Sequence, residues 1–362
     1  MNPADHATVA KGNPMCSLDR RSFSSAVAAL MLWPLLARAQ VRRLRLLLNT
    51  SLSGPVAFFL LAQDRGYLRD EGLDITLSTG GGAAVIVPQV NHGAYDIGYG
   101  DLSALIERIA RGEREQGPVA IYTTFNVVPF TIAVAANGPI KTAKDLEGRR
   151  IVGHAGDAAL LTFDLYARAA GIDIGKVRVQ RSMQGMGAQV ADMLRGDGAD
   201  AVFGFVNTIV ASAAPLGIDG HAALRFLNFA DHLPDMYGNT LFVTRELYRA
   251  DPAALRGMVR ASNRALADTV KDPDAAIDAL ARHAPGADRA VNRTRLVGTL
   301  KGEMAHPEGA RIGIGDMDDA RLKRLIALIV ETKQLPRLPA LREVFDRSFL
   351  PPDAQRIRSL AR

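Results

Sequence analysis

From Val41 onward, short apolar runs of strand character alternate with stretches whose apolar residues recur three or four positions apart. The first half reads as strand 44–49, helix 56–65, strand 73–78, helix 85–92, strand 95–99, helix 102–111 and strand 119–125. A further strand over 130–136 follows Val128-Pro129, and the chain is expected to cross there between two halves of the molecule. The alternation then restarts, with strands at 151–152, 177–180 and 199–203 and a helical pattern over 158–170. A second crossing strand is expected over 238–244, after which helices dominate at 252–270, 273–283 and 318–332. Asp251-Pro252 and Asp272-Pro273 each place a capping carboxylate before a proline suited to the first helical turn. Strand–helix order of this kind builds a mostly parallel sheet covered on both faces. Two such units imply an α/β protein of two lobes with a cleft between them, and the closing helices are expected to pack back on the first lobe.

In an open α/β sheet, ligands sit beyond the carboxyl ends of strands, where helices begin with unpaired N–H groups. Three loops have that placement. In Thr79-Gly-Gly-Gly-Ala83, the residues Gly80, Gly81 and Gly82 either form a flexible turn or bring bare backbone N–H groups against a ligand. Gly153-His-Ala-Gly156-Asp157 leads from strand 151–152 into the next helix, which makes Gly156 and Asp157 candidates. Gly98-Tyr-Gly-Asp101 repeats the arrangement, so Asp101 and Asp157 each read as a helix cap or as a cleft carboxylate. Tyr99, Phe125, Phe205 and Tyr237 lie at or just past strand ends, where each either fills the core or stacks on a flat ring.

Within Ile140-Lys-Thr-Ala-Lys-Asp-Leu-Glu-Gly-Arg-Arg-Ile-Val-Gly153, Thr142 and Asp145 have the spacing of a helix cap. Leu146 is an apolar anchor, and Gly148 suits the left-handed position that ends a helix. The whole stretch fits the pattern hydrophobic-x-S/T-x-x-D-L-x-G-K/R-x-hydrophobic-G. It resembles the opening of the second lobe in periplasmic substrate-binding proteins of ABC importers for nitrate, sulfonates, taurine and thiamine pyrimidine precursors. Ala62-Gln-Asp-Arg-Gly-Tyr-Leu-Arg-Asp-Glu-Gly-Leu-Asp74, Gly93-Ala-Tyr-Asp-Ile-Gly98 and Ser348-Phe-Leu-Pro-Pro352 extend the likeness over nearly the whole chain. The resemblance implies a type II periplasmic-binding-protein fold with two crossing strands and a central ligand cleft. Its lobes would run 40–128, 129–236 and, returning to the first, 237–362. It implies that the loop Asn49-Thr-Ser-Leu-Ser-Gly54 lines the cleft, which makes Thr50, Ser51 and Ser53 hydroxyl candidates. Asp235-Met-Tyr-Gly-Asn239 resembles a cleft-lining turn of the family and singles out Tyr237 and Asn239. A small-molecule ligand, an ABC permease as partner and a monomeric state are expected, with no cofactor and no metal.

Charge and composition refine this reading. The net charge of +6 is spread without a long basic run, which describes a solvated surface rather than a nucleic-acid face. Asp19-Arg-Arg-Ser-Phe23, the apolar stretch from Ala26 to Leu36 and Ala37-Arg-Ala39 together read as an export signal over 1–39, cleaved near Ala39/Gln40. Its apolar part is shorter than the ~20 residues that a spanning helix needs. The twin arginines suit the twin-arginine route, with the general secretory route as the alternative, and translation starts at Met1 or Met15; either way the mature protein is expected in the periplasm. Cys16, the only cysteine, would leave with the signal, so the mature chain holds no disulfide, thiolate metal site or cysteine nucleophile. Its histidines show no metal-ligand spacing, and neither a Gly-x-Ser-x-Gly elbow nor a Walker loop is present. No enzyme is therefore expected, although a fungal thiamine-pyrimidine synthase with a cysteine-rich motif shares the implied fold. Two carboxylates in the cleft would oppose a compact anion, so a ring bearing N–H groups is expected over nitrate or taurine. A sulfonate, taurine or nitrate binder and a ligand-sensing receptor domain are the alternatives.

Overall fold

Ten strands are found among the residues that the computed structural model describes, 41–82 and 84–358; the expected export signal lies outside them. They are β1 (Arg42–Leu48), β2 (Leu73–Thr79), β3 (Ile97–Asp101), β4 (Val119–Thr123), β5 (Phe130–Ala135), β6 (Arg150–His154), β7 (Arg178–Ser182), β8 (Ala201–Phe205), β9 (Leu224–Asn228) and β10 (Asn239–Val243). They form two five-stranded sheets, in the orders β2-β1-β3-β10-β4 and β7-β6-β8-β5-β9. Within the first sheet β1 runs parallel to β2 and β3, and within the second β6 runs parallel to β7 and β8. The antiparallel members are β10, between β3 and β4, and β5, between β8 and β9. Each of these enters its sheet directly from the other one, so the chain arrives reversed. The two passages, 124–129 and 229–238, join the lobes.

The expected helices form where apolar periodicity and capping agree. Ala254 N–H donates to Asp251 Oδ1 at 3.0 Å and Ala275 N–H to Asp272 Oδ1 at 3.3 Å, opening the helices Pro252–Lys271 and Pro273–His283. Both pack on Ala57–Asp64 beside the first sheet. The helix Asp319–Thr332 departs from the expectation that the closing helices serve the first lobe alone. Its stripe of Leu322, Leu325, Ile326 and Ile329 shares one core with Leu102, Leu105 and Ile109 of one lobe and with Phe163 and Tyr166 of the other. Lys333, just past it, donates to the Leu161 carbonyl at 3.0 Å and lies 3.4 Å from Glu107. Sequence patterning misses β9 and the helices Met186–Arg195, Val206–Ala213 and Arg289–Thr299. The last buries Asn292, Leu296 and Thr299, a face too polar to stand out by periodicity.

Candidate ligand cleft

A cavity of about 410 Å³ opens between the carboxyl ends of the two sheets. Eight of the expected residues line it: Thr50, Gly80, Gly81, Gly82, Phe125 and Asn239 from one lobe, Asp157 and Phe205 from the other. The crossing geometry explains the meeting, since β1, β2, β6 and β8 all end at this level. Phe125 packs edge-on against Tyr99 at 6.3 Å and Phe205 packs on Phe130 at 5.3 Å, which fixes both cavity-facing rings from behind. Neither polar atom of the buried Asn239 amide has a hydrogen-bond partner among the described residues.

Asp157 is a cap and a cleft residue at once. Its Oδ1 accepts from Ala159 N–H at 2.8 Å and Leu160 N–H at 3.4 Å, while its other oxygen has no protein partner among the described residues. Burial pushes its carboxyl up to about 6, against the two helix N–H groups that favour the charge. Asp101 has the same local signature and the opposite placement. Ala104 N–H donates to its Oδ2 at 2.7 Å, its Oδ1 is buried without a hydrogen-bond partner among the described residues, and it does not line the cavity. Burial pushes it up to about 7 from the ordinary 3.8. The fold thus favours its protonated form, a contribution complete below the ordinary carboxylate range and lost as pH rises through about 7. Asp101→Asn keeps the cap acceptor and is expected to raise the melting temperature at pH 8 by roughly 2–4 °C while changing little at pH 4. Melts of both proteins at the two pH values check this, and parallel profiles would contradict it.

Five further candidates lie off the cavity. Ser51 is exposed, and Ser53 is buried ahead of the short turn Gly54–Val56. Tyr99 is buried, its hydroxyl 2.7 Å from Thr124 Oγ1. Tyr237 turns away from the cleft and donates to Glu308 Oε1 at 2.5 Å. Gly156 lies against the facing glycine loop. A Cβ on Gly82, whose φ is +136°, would stand 2.3 Å from the Gly156 carbonyl oxygen, and one on Gly156 would stand 2.8 Å from that of Gly81. The two lobes therefore touch backbone to backbone, an approach open only to glycine. Gly82→Ala is expected to hold the lobes apart and weaken ligand binding at least ~10-fold, at a local strain cost of about 1–3 kcal/mol. Gly286→Ala, outside the cavity lining and with nothing within 4 Å of its Cβ, is the control. Calorimetric titration distinguishes them, and equal affinities would remove the loop contact from closure.

The return segment supplies residues that sequence reasoning missed. Helix Arg289–Thr299 runs into the π-helical turn Leu300–Met304, and Arg295, Thr299 and Glu303 all line the cavity. Such turns recur at functional sites because the inserted residue re-aims a side chain. Asn207 Nδ2 donates to Glu303 Oε1 at 2.9 Å and Arg295 Nη2 donates to Thr208 Oγ1 at 3.3 Å, joining the lobes across the cleft. Burial raises the Glu303 carboxyl. No spacing signal points to these residues, because their role depends on the packing of Arg289–Thr299 against Val206–Ala213. A second cavity of about 460 Å³, on the outer face near Ile326, Leu338 and Leu341, lies away from these groups. The interlobe cavity has the convergent polar groups of a ligand site.

Known proteins share this architecture. The alkanesulfonate-binding protein SsuA of Xanthomonas axonopodis pv. citri, bound to MOPS, matches with a TM-score of 0.62 at 17% identity, covering 84% of this chain and 98% of its own. The periplasmic aliphatic sulphonate binding protein SsuA of Escherichia coli matches at 0.60 and 19% identity, covering 84% and 97%. A 4-amino-5-hydroxymethyl-2-methylpyrimidine phosphate synthase of Legionella pneumophila is 24% identical over 250 residues, 67% of this chain and 74% of that protein. The fold is that of the periplasmic binding proteins, and the resemblance read from Ile140–Gly153 holds. Residues 54–276 match the family described as NMT1/THI5 like, and the chain belongs to that family.

Proposed function

We propose that this chain is the exported substrate-binding component of an ABC importer, capturing a small ring compound with N–H groups between its lobes and presenting it to the permease. In this reading the lobes divide as 40–128, 129–236 and 237–362, the signal over 1–39 is removed, and the mature monomer works in the periplasm. The carrying observation is Asp157, which offers one unpartnered carboxylate oxygen to a cavity flanked by Phe125 and Phe205. An ionised oxygen accepts N–H groups and repels compact anions, and the two rings suit a flat ligand. Contacts formed only when the lobes meet, such as Asn207 to Glu303, would let the ligand shift the open and closed populations.

A second reading, an enzyme acting on a pyrimidine, takes support from the Legionella relative. The test is a thermal-shift and calorimetric comparison of 4-amino-5-hydroxymethyl-2-methylpyrimidine, the aminopyrimidine alcohol in that relative's name, with nitrate and ethanesulfonate. The ring is expected to stabilise the protein by ~2.7 kcal/mol at a hundred times its Kd, without turnover. Stabilisation by nitrate and not by any N–H-bearing ring would sink the proposal, and product formation would favour the enzyme.

A further inference from the structure

Arg295 is the one guanidinium among the described residues lining the cleft, which also holds the carboxylates of Asp157 and Glu303 and the imidazole of His154. Its Nη2 reaches Thr208 Oγ1 at 3.3 Å, its Nε is buried with no partner, and among the described residues it makes no hydrogen bond to a carboxylate. Glu303 is taken up by Asn207 instead. Burial disfavours the charge on Arg295, and only the more distant Glu303 supports it. A guanidinium partly withdrawn from water without an anion in contact is left with unmet donors. One helical turn on, on the same face, Thr299 lines the same cavity; its buried hydroxyl lies close enough to the Glu303 carboxylate to favour that charge, yet makes no hydrogen bond of good geometry among the described residues. Arg295, with donors left over after its one bond to Thr208, and the loosely held Thr299 hydroxyl stand side by side on one helix that lines a ligand cavity, a pair that an oxyanion would satisfy.

We propose that Arg295 and Thr299 form an oxyanion subsite, so that the ligand is a ring carrying an acidic substituent, a carboxylate or a sulfonate, at the end opposite its N–H groups. This rests on the ring reading above and narrows it to amphoteric rings. The acid is held by the return segment of the first lobe and the N–H groups by Asp157 of the second. Each end therefore engages a different lobe, and a ligand lacking either end gains less from closure. A bare anion gains Arg295 and meets the repulsion of Asp157 and Glu303.

The test titrates wild type, Arg295→Gln and Thr299→Val with four probes: the aminopyrimidine alcohol, the same ring bearing a carboxylate, the same ring bearing a sulfonate, and benzoate. In wild type the acidic rings are expected to bind roughly 10- to 100-fold more tightly than the alcohol, the range of a charge-assisted contact. Arg295→Gln should abolish that advantage, so that acidic and neutral rings bind alike whatever the loss of the Thr208 contact does to both, and Thr299→Val should reduce the advantage several-fold. The carboxylate and sulfonate arms identify which oxyanion the cradle prefers. Equal binding of acidic and neutral rings by wild type, an advantage that survives Arg295→Gln, or no binding by any acid overturns the subsite. Benzoate binding that needs Arg295, with no pyrimidine bound, would keep the subsite and remove the N–H reading. Apo melting curves of the variants separate lost contacts from lost folding.

Discussion

Replacing Arg321 by Met is expected to lower stability by about 3–5 kcal/mol, the usual effect of breaking a buried ion pair from one side. The guanidinium is buried, with Nη1 2.7 Å from Glu308 Oε2. Its Nη2 donates to the Asn126 carbonyl at 2.7 Å and to the Met236 carbonyl at 2.8 Å, and the group lies 3.9 Å from the centre of the Tyr237 ring. Asn126 belongs to one passage between the sheets and Met236 to the other, so one side chain ties both connections together. The Met variant would leave the Glu308 carboxylate and two carbonyls buried without that donor. Arg321→Lys keeps the charge and loses the fork, and should fall between Met and wild type. Chemical denaturation checks the ranking, and a Met variant as stable as wild type would show that the two passages do not depend on this contact. Because the same contact sets how the passages bend, the Met variant should also bind ligand more weakly than its lost stability alone accounts for.

Asp157→Asn is expected to weaken binding of an N–H-bearing ring by roughly 10- to 100-fold, since it removes the charge and keeps the amide oxygen that caps the helix. The wild-type affinity should fall as pH drops through about 6, because the raised carboxyl takes up a proton there and ceases to be an ionised acceptor. Ligand N–H groups favour the charged form and burial favours the neutral one, so binding releases a proton near that pH. The variant should show no such step. Calorimetric titrations of both proteins between pH 5 and 8 check this, and their difference cancels any titration of the ligand itself. Coincident profiles would remove Asp157 from the site.

The strand–helix alternation, the two crossings and the caps at Asp251 and Asp272 were legible in the sequence because each rests on neighbours a few residues apart. So was the stretch around Gly148, which has φ +79° and follows the short helix Ala143–Leu146, where the Thr142 and Lys141 N–H groups donate to Asp145 at 2.8 and 2.9 Å. The sequence also located the loops that end at the cleft. It could not separate Asp101 from Asp157, since both follow a strand and cap a helix, and only the sheet positions decide which keeps an oxygen open to the cavity. Tyr237 sits in a turn that resembles a cleft-lining one, yet the tertiary structure turns its hydroxyl to Glu308 and its ring beneath Arg321. Glu303 and Arg295 entered the site through contacts with Asn207 and Thr208 about a hundred residues away, with Thr299 between them on the same segment, and no local pattern encodes such contacts. Local propensity and capping determine where elements begin and end, whereas the direction a side chain faces across a cleft depends on packing between elements distant in the chain.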